Sequence, residues 1–434
     1  MRKRILAGLA AAVMTFGMCG CSSSGSSESS SNGGESSVES VNESSTAEES
    51  SQAESETDEP KPESYEEYYE IMKQKSLCSL GNTNAMQKVI ERAKNGEELT
   101  LSFIGGSITE GYTVNAAKCY AANTYIWFMK RYGTNGDKVH YVNAGLSGTP
   151  SILGSFRLER DVLVNDPDVL FIEFAVNDGT DINYLTAYEG IIRSAYEKNP
   201  DIAIVLLFAR TEDGYTAQDG MKKIGEYYDL PMISYADGIT YLMDNGQLTW
   251  DEFSKDGSHP NLHGHEMVTD MISYYFEQLE AAEASDEYAF PEEPMYSEQY
   301  VNCHIMESDV LAPESLGSWE AGSNINTFDK GWTFKGSADN NEPIVFKVKG
   351  SALYLLFKEN SVGSGMGSVK VTCTDEDGNS EDTLVNAETS GGWGDPTVAN
   401  ILLGDESKEY TVSISMIEGT EDKEFQILGL GYKE

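Results

Sequence analysis

The feature that most constrains this chain is an alternation of short apolar runs with amphipathic stretches over residues 99–282. Residues 99–104, 139–142, 169–174, 202–208 and 232–234 read as strands, the first carrying Leu99, Leu101, Phe103 and Ile104. Between them, residues 120–132, 152–164, 185–198 and 221–228 read as helices, and a long helix from Leu262 closes the series. Strands alternating with helices predict an α/β fold, a three-layer sandwich whose parallel sheet is covered on both faces. Ahead of it, residues 63–94 carry a helical pattern through Tyr65, Tyr68, Tyr69, Met72, Met86, Val89, Ile90 and Ala93.

Past Ala284 the texture changes. Residues 285–294 are polar with two prolines and read as a linker. Beyond it, alternation at period two marks strands at 343–349, 352–358, 368–374, 409–416 and 425–432, with Gly, Asp and Asn between them. The expectation is a small antiparallel β-sandwich, jelly-roll-like, over 295–434, following an α/β domain over 63–284.

The first residues belong to neither. Arg2, Lys3 and Arg4 precede an apolar run from Ile5 to Met18 that is short for a membrane span, and small residues lead into Cys19-Gly20-Cys21. Residues 1–21 resemble a bacterial lipoprotein signal, with Gly20 favouring Cys21 as the lipidated residue; a plain secretory signal is the alternative. Residues 22–62 are almost all Ser, Glu, Gly, Asn and Thr, too polar to offset ordering entropy, and are expected to be a disordered stalk. The protein is thus expected on the extracellular face of the cell membrane, held by its lipid. A net charge of −42 without a basic stripe disfavours nucleic acid as a partner. Cys78, Cys119, Cys303 and Cys373 show no metal-ligand spacing; Cys303 and Cys373 either pair or remain single buried thiols.

Chemistry concentrates at four places. Gly105-Gly106-Ser107 ends the first strand, where a serine on a tight turn at the carboxyl edge of a sheet is fixed below and open above. Asn143-Ala144-Gly145 follows the second strand, Asn177-Asp178 the third, and Asp256-Gly257-Ser258-His259-Pro260 precedes the last helix. Alone, each is an ordinary turn. Together they supply a hydroxyl, an imidazole to take its proton, a carboxylate to orient the imidazole, and donors for an oxyanion. His263 and His265 stand near His259, so a metal site is the minor reading; Pro260 places His259 ahead of the helix, and this chemistry asks for no metal or cofactor.

With these blocks in this order, the chain resembles an SGNH hydrolase of the GDSL-like esterase superfamily over residues 99–279. The resemblance implies Ser107 as nucleophile, His259 as base and Asp256 as its orienter. It also implies an oxyanion hole from the backbone of Ser107 and Gly145 and the Asn177 amide. Gly106 departs from the family's usual aspartate and Ala175 from a frequent glycine, which bears on the subfamily more than on the chemistry. SGNH enzymes with an added β-sandwich resemble carbohydrate esterases that remove acetyl groups from polysaccharides. The loop Gly391-Gly392-Trp393-Gly394 presents an indole for sugar stacking, remote from the reacting carbonyl, or else packs it in the core. A lipase or thioesterase on non-carbohydrate esters and a non-catalytic solute- or carbohydrate-binding lipoprotein are the alternatives.

Overall fold

A computed structural model describes residues 61–134 and 138–433. The expected leader with Cys21, and the Ser-rich stretch up to residue 60, lie outside the described residues.

The α/β part opens with α1 (Tyr65–Ser76), β1 (Leu77–Ser79) and α2 (Asn84–Lys94). Ser64 caps α1 by accepting from the Glu67 N–H. The helical pattern over 63–94 is broken by a strand: Leu77 and Ser79 pair antiparallel with Ile233 and Met232, because completing the sheet edge outweighs local propensity. Then follow β2 (Leu99–Gly105), α3 (Ser107–Glu110), α4 (Tyr120–Tyr132), β3 (Val139–Gly145), α5 (Ser151–Asp161), β4 (Val169–Glu173), α6 (Ile182–Lys198), β5 (Ala203–Phe208), α7 (Gln218–Tyr227) and β6 (Met232–Ser234). Two helices absent from the sequence reading, α8 (Tyr235–Asp244) and α9 (Trp250–Phe253), precede α10 (Leu262–Ala281). The sheet runs β1-β6-β5-β4-β2-β3, parallel except at β1. Strands β4 and β5 are buried throughout, which is why they read as continuous apolar runs. Chain order reverses at β2, flanked by β3 and β4, so the connections leaving β2 and β4 diverge and leave a crevice at their carboxyl ends.

The β part comprises β7 (Cys303–Met306), β8 (Trp319–Ala321), β9 (Trp332–Phe334), β10 (Ile344–Lys358), β11 (Asn360–Ser361), β12 (Ser368–Asp375), β13 (Ser380–Asn386), β14 (Glu388–Thr389), β15 (Pro396–Met416) and β16 (Gln426–Lys433). Eight of these form one antiparallel sheet, ordered β13-β12-β15-β10-β16-β9-β8 with β7 also on β16. The two expected strands 343–349 and 352–358 are a single strand, β10, with a register shift between Gly350 and Ala352. Both halves of β10 and β15 line one core, with Phe346, Leu355, Ile401 and Ile414 among its residues, so the two faces of the sandwich are parts of one continuous sheet.

The described residues from Ser64 onward form a single compact unit. Leu153 and Phe156 of α5 pack against Leu356, Leu428 and Tyr354 of the β part, which explains why the second half of β10 is buried on both faces. The expected linker carries no regular structure but is strapped to α6: Glu189 accepts from the Met295 and Tyr296 N–H groups, Arg193 donates to the Glu292 carbonyl, and Phe290 stacks on Tyr196. Cys303 and Cys373 are unpaired and buried in separate apolar clusters.

Candidate active site

Strand β2 ends at Gly105, and α3 begins at Ser107 with Gly106 as its cap. As the first residue of a helix, Ser107 has a backbone N–H with no partner inside it. The Ser107 Oγ lies 2.7 Å from Nε2 of His259, and His259 Nδ1 lies 2.9 Å from both carboxylate oxygens of Asp256. With Nδ1 donating to Asp256, Nε2 is left to accept the serine proton. Burial pushes the Asp256 carboxyl up, but the N–H groups of Ser258 and His259 and the His259 ring outweigh it and hold that carboxyl below the ordinary aspartate value.

The histidine loop is fastened from below by groups the sequence reading did not single out. Trp250 Nε1 donates to the Asp256 carbonyl, Ser254 Oγ to the His259 carbonyl, and Thr113 Oγ1 to the Pro260 carbonyl. Asn261 caps α10 by accepting from the Gly264 N–H, so His259 stands two residues ahead of a capped helix.

Asn177 follows β4 and lines the same cleft as Ser107 and His259. Its Oδ1 is buried against Gly106, where a Cβ would lie 2.1 Å away. Glycine in place of the family's usual aspartate at 106 is thereby accounted for: no side chain fits there while Asn177 holds this position.

Gly145 lies away from the cleft that holds Ser107. Its N–H donates to Asn143 Oδ1 at 2.8 Å, while Asn143 Nδ2 donates to the Thr109 carbonyl, so this peptide braces β3 against α3. Gly145 lines a different cavity, with Arg157, Arg160 and Glu307. The glycine that faces the cleft is Gly148, three residues on. It turns at φ +73°, and its N–H bonds to no other described residue. The signal in the sequence was the second glycine of Gly-Leu-Ser-Gly, which fits a tight turn better than a strand end.

Trp393 is also placed differently from the expectation. Trp332 and Trp319 are core residues, whereas Trp393 is 60 % exposed and its indole covers Gly148. It is therefore not remote from the reacting centre but walls the cleft of about 390 Å³ that holds Ser107. The Trp393 N–H donates to buried Asp395, and Gly394 donates to the Glu359 carbonyl, which fixes the loop. On the other side, exposed Tyr112 lies with its ring 5.1 Å from that of His259.

Two buried acids sit under the site. Burial pushes the Glu173 carboxyl up to about 7 and that of Asp178 to about 8; Asp178 accepts from the Ser151 N–H and ties the Asn177 segment to the start of α5. His265 is buried, accepts the Tyr120 N–H on Nδ1, and is pushed down to about 4 by burial. His263 is exposed, whereas His265 is buried. Among the described residues no three His, Cys, Asp or Glu side chains are grouped to hold a metal ion.

Residues 103–267 match the model of the GDSL-like lipase/acylhydrolase family. Among solved structures, the chain is similar to a two-domain esterase active on acetylated mannans. Its complex with mannopentaose is 25 % identical, with 83 % of this chain and 98 % of that one covered at a TM-score of 0.71. A second crystal structure of such an esterase, at 24 % identity, covers 83 % and 99 % with a TM-score of 0.72, and shares the fold. No curated protein sequence matches the chain. Residues 103–267 thus resemble an SGNH hydrolase through their match to the GDSL-like lipase/acylhydrolase family, the chain has the fold of a two-domain esterase, and the protein is a carboxylic ester hydrolase.

Proposed function

We propose that this protein is an exported, lipid-anchored serine esterase that removes O-acetyl groups from carbohydrate, with polysaccharide as the natural substrate. The observation that carries the reading is the unbroken contact Asp256–His259–Ser107 opening into a cleft walled by an exposed indole. The two-domain esterase of similar fold, active on acetylated mannans, supports carbohydrate as the substrate class. Val176 is the one aliphatic side chain among those lining the cleft, which supports a short acyl group over a lipid chain. The basic start, short apolar run and Cys21 support export and anchoring.

His259 Nε2 takes the Ser107 proton as Oγ attacks the acetyl carbon. The carbonyl electrons move to oxygen, which receives hydrogen bonds from the N–H groups of Ser107 and Gly148 and from the Asn177 amide. Collapse breaks the ester C–O bond, and the imidazolium returns its proton to the departing sugar oxygen. Water, deprotonated by the same histidine, then releases acetate and restores Ser107. Asp256 stays ionised throughout and holds the imidazole in its working tautomer.

The test is acetate release from acetylated mannan and from an aryl acetate by purified protein. Ser107→Ala is expected to abolish both with an unchanged melting temperature, because an Oγ is removed at the cleft surface and no core volume changes. Wild-type turnover by that variant overturns the reading.

A further inference from the structure

Glu110 stands three residues after Ser107, at the end of α3. Its N–H donates to the Gly106 carbonyl, and Ser107 in turn accepts from Gly111 and Tyr112, so its backbone is rigidly tied to the nucleophile. Its side chain turns across to the loop after β3. There Oε2 accepts two hydrogen bonds from one residue: the Ser147 N–H at 2.8 Å and the Ser147 hydroxyl. Ser147 supplies the carbonyl half of the peptide whose N–H belongs to Gly148. We infer that Glu110 is a positioning residue, a clamp that sets the Gly148 N–H relative to the Ser107 N–H and so fixes the spacing of the oxyanion donors.

Two features of the site support this. The loop has few other fixed points, namely Leu146 N–H on the Gly105 carbonyl and a turn within residues 146–149, so Ser147 is where its tip is held. Above, the Trp393 indole lies so close to Gly148 that a Cβ there would meet it at 2.5 Å, which leaves the peptide held between indole and carboxylate. Electrostatics alone would argue against a carboxylate here, because a negative charge beside an oxyanion site opposes the charge that site must accept. What Glu110 supplies instead is geometry, two charge-assisted bonds converging on one oxygen.

The inference rests on the oxyanion reading of Gly148, and the experiment separates the two. Glu110→Asp keeps the charge but is one methylene short of Ser147; Glu110→Gln keeps the reach and an acceptor oxygen but loses the charge. With an aryl acetate, Glu110→Asp is expected to lose about 10²-fold in kcat with KM within about twofold, the scale on which a misplaced or missing oxyanion donor is felt. Glu110→Gln is expected to stay within about threefold of wild type. A boronic acid that captures Ser107 as a tetrahedral adduct should weaken in parallel with kcat across the pair. Melting temperatures within a few degrees for both variants complete the expected result. If Ser107→Ala is inactive but Glu110→Asp turns over like wild type, or if Glu110→Gln falls as far as Glu110→Asp, the clamp is wrong and the triad reading stands. If Ser107→Ala is active, both fall.

Discussion

At the scale of single residues, position in the cleft decides what a side chain does more than its type. Trp332 and Trp393 are both tryptophans of the β part, yet one is core and the other walls the cleft that holds Ser107. Trp393→Ala is therefore expected to shift the melting temperature by no more than a few degrees, since most of the indole already faces solvent. The KM for acetylated oligosaccharide should rise about fivefold, as expected for loss of an aromatic contact worth about 1 kcal/mol. Steady-state kinetics and a thermal scan on the same preparation check this; a large stability loss would make Trp393 a packing residue instead. The two glycines make the same point, because Gly145 spends its N–H inside the fold while the Gly148 N–H bonds to no other described residue.

At the scale of elements, α5 is where the two parts of the molecule meet the site. One face presents Leu153 and Phe156 to β10 and β16. Another carries Arg157, fully buried, whose guanidinium donates to the carbonyls of Gly105 and Ala144, the final turns of β2 and β3 beside Ser107. Arg160, one turn on, reaches Glu307 and the Thr327 carbonyl in the β part. The helix thus braces the carboxyl ends of two strands while holding the β part against them. Phe156→Ala should cost about 3–5 kcal/mol in chemical denaturation, as expected for an aromatic ring lost from a closed core. Its ring sits 4.7 Å from that of Tyr354, so the cavity opens at the junction itself. A change under about 1 kcal/mol would mean the two parts do not share this core.

At the scale of the whole molecule, buried acids set a pH dependence of stability. Glu173 and Asp178 are carboxyls whose folded values, about 7 and about 8, lie above their ordinary values of 4.5 and 3.8. In the folded protein they stay protonated where the unfolded chain ionises them. The stability they contribute is complete below those ordinary values and is lost as pH rises through 7 and 8. Asp178→Asn removes one of these titrations and keeps an oxygen to accept the Ser151 N–H. The melting temperature of the variant relative to wild type should therefore climb steadily between about pH 5 and pH 8. A constant difference over that range would show that Asp178 is ionised in the folded state.

Much of this was legible in the chain. Ser107, Asn177, Asp256 and His259 could be named because each stands where an apolar run stops or a helix begins, and local pattern marks such ends. The parallel sheet was legible for the same reason, since β4 and β5 are buried on both faces and their apolar runs are unbroken. What local pattern does not carry is distance between remote segments. Whether residues 77–79 join a helix or a sheet edge depended on β6, more than 150 residues away, offering an unpaired edge. Which of Gly145 and Gly148 lines the cleft depended on packing around the turn, where Asn143 takes the Gly145 N–H and Glu110 holds Ser147. Trp393 reached Gly148 only because α5 locks the β part in place. Sequence by itself determined the chemistry and the strands that bear it, because these follow from local burial and turn geometry. Tertiary structure decided which glycine lines the cleft and what walls it, because those depend on packing between segments that no local pattern encodes.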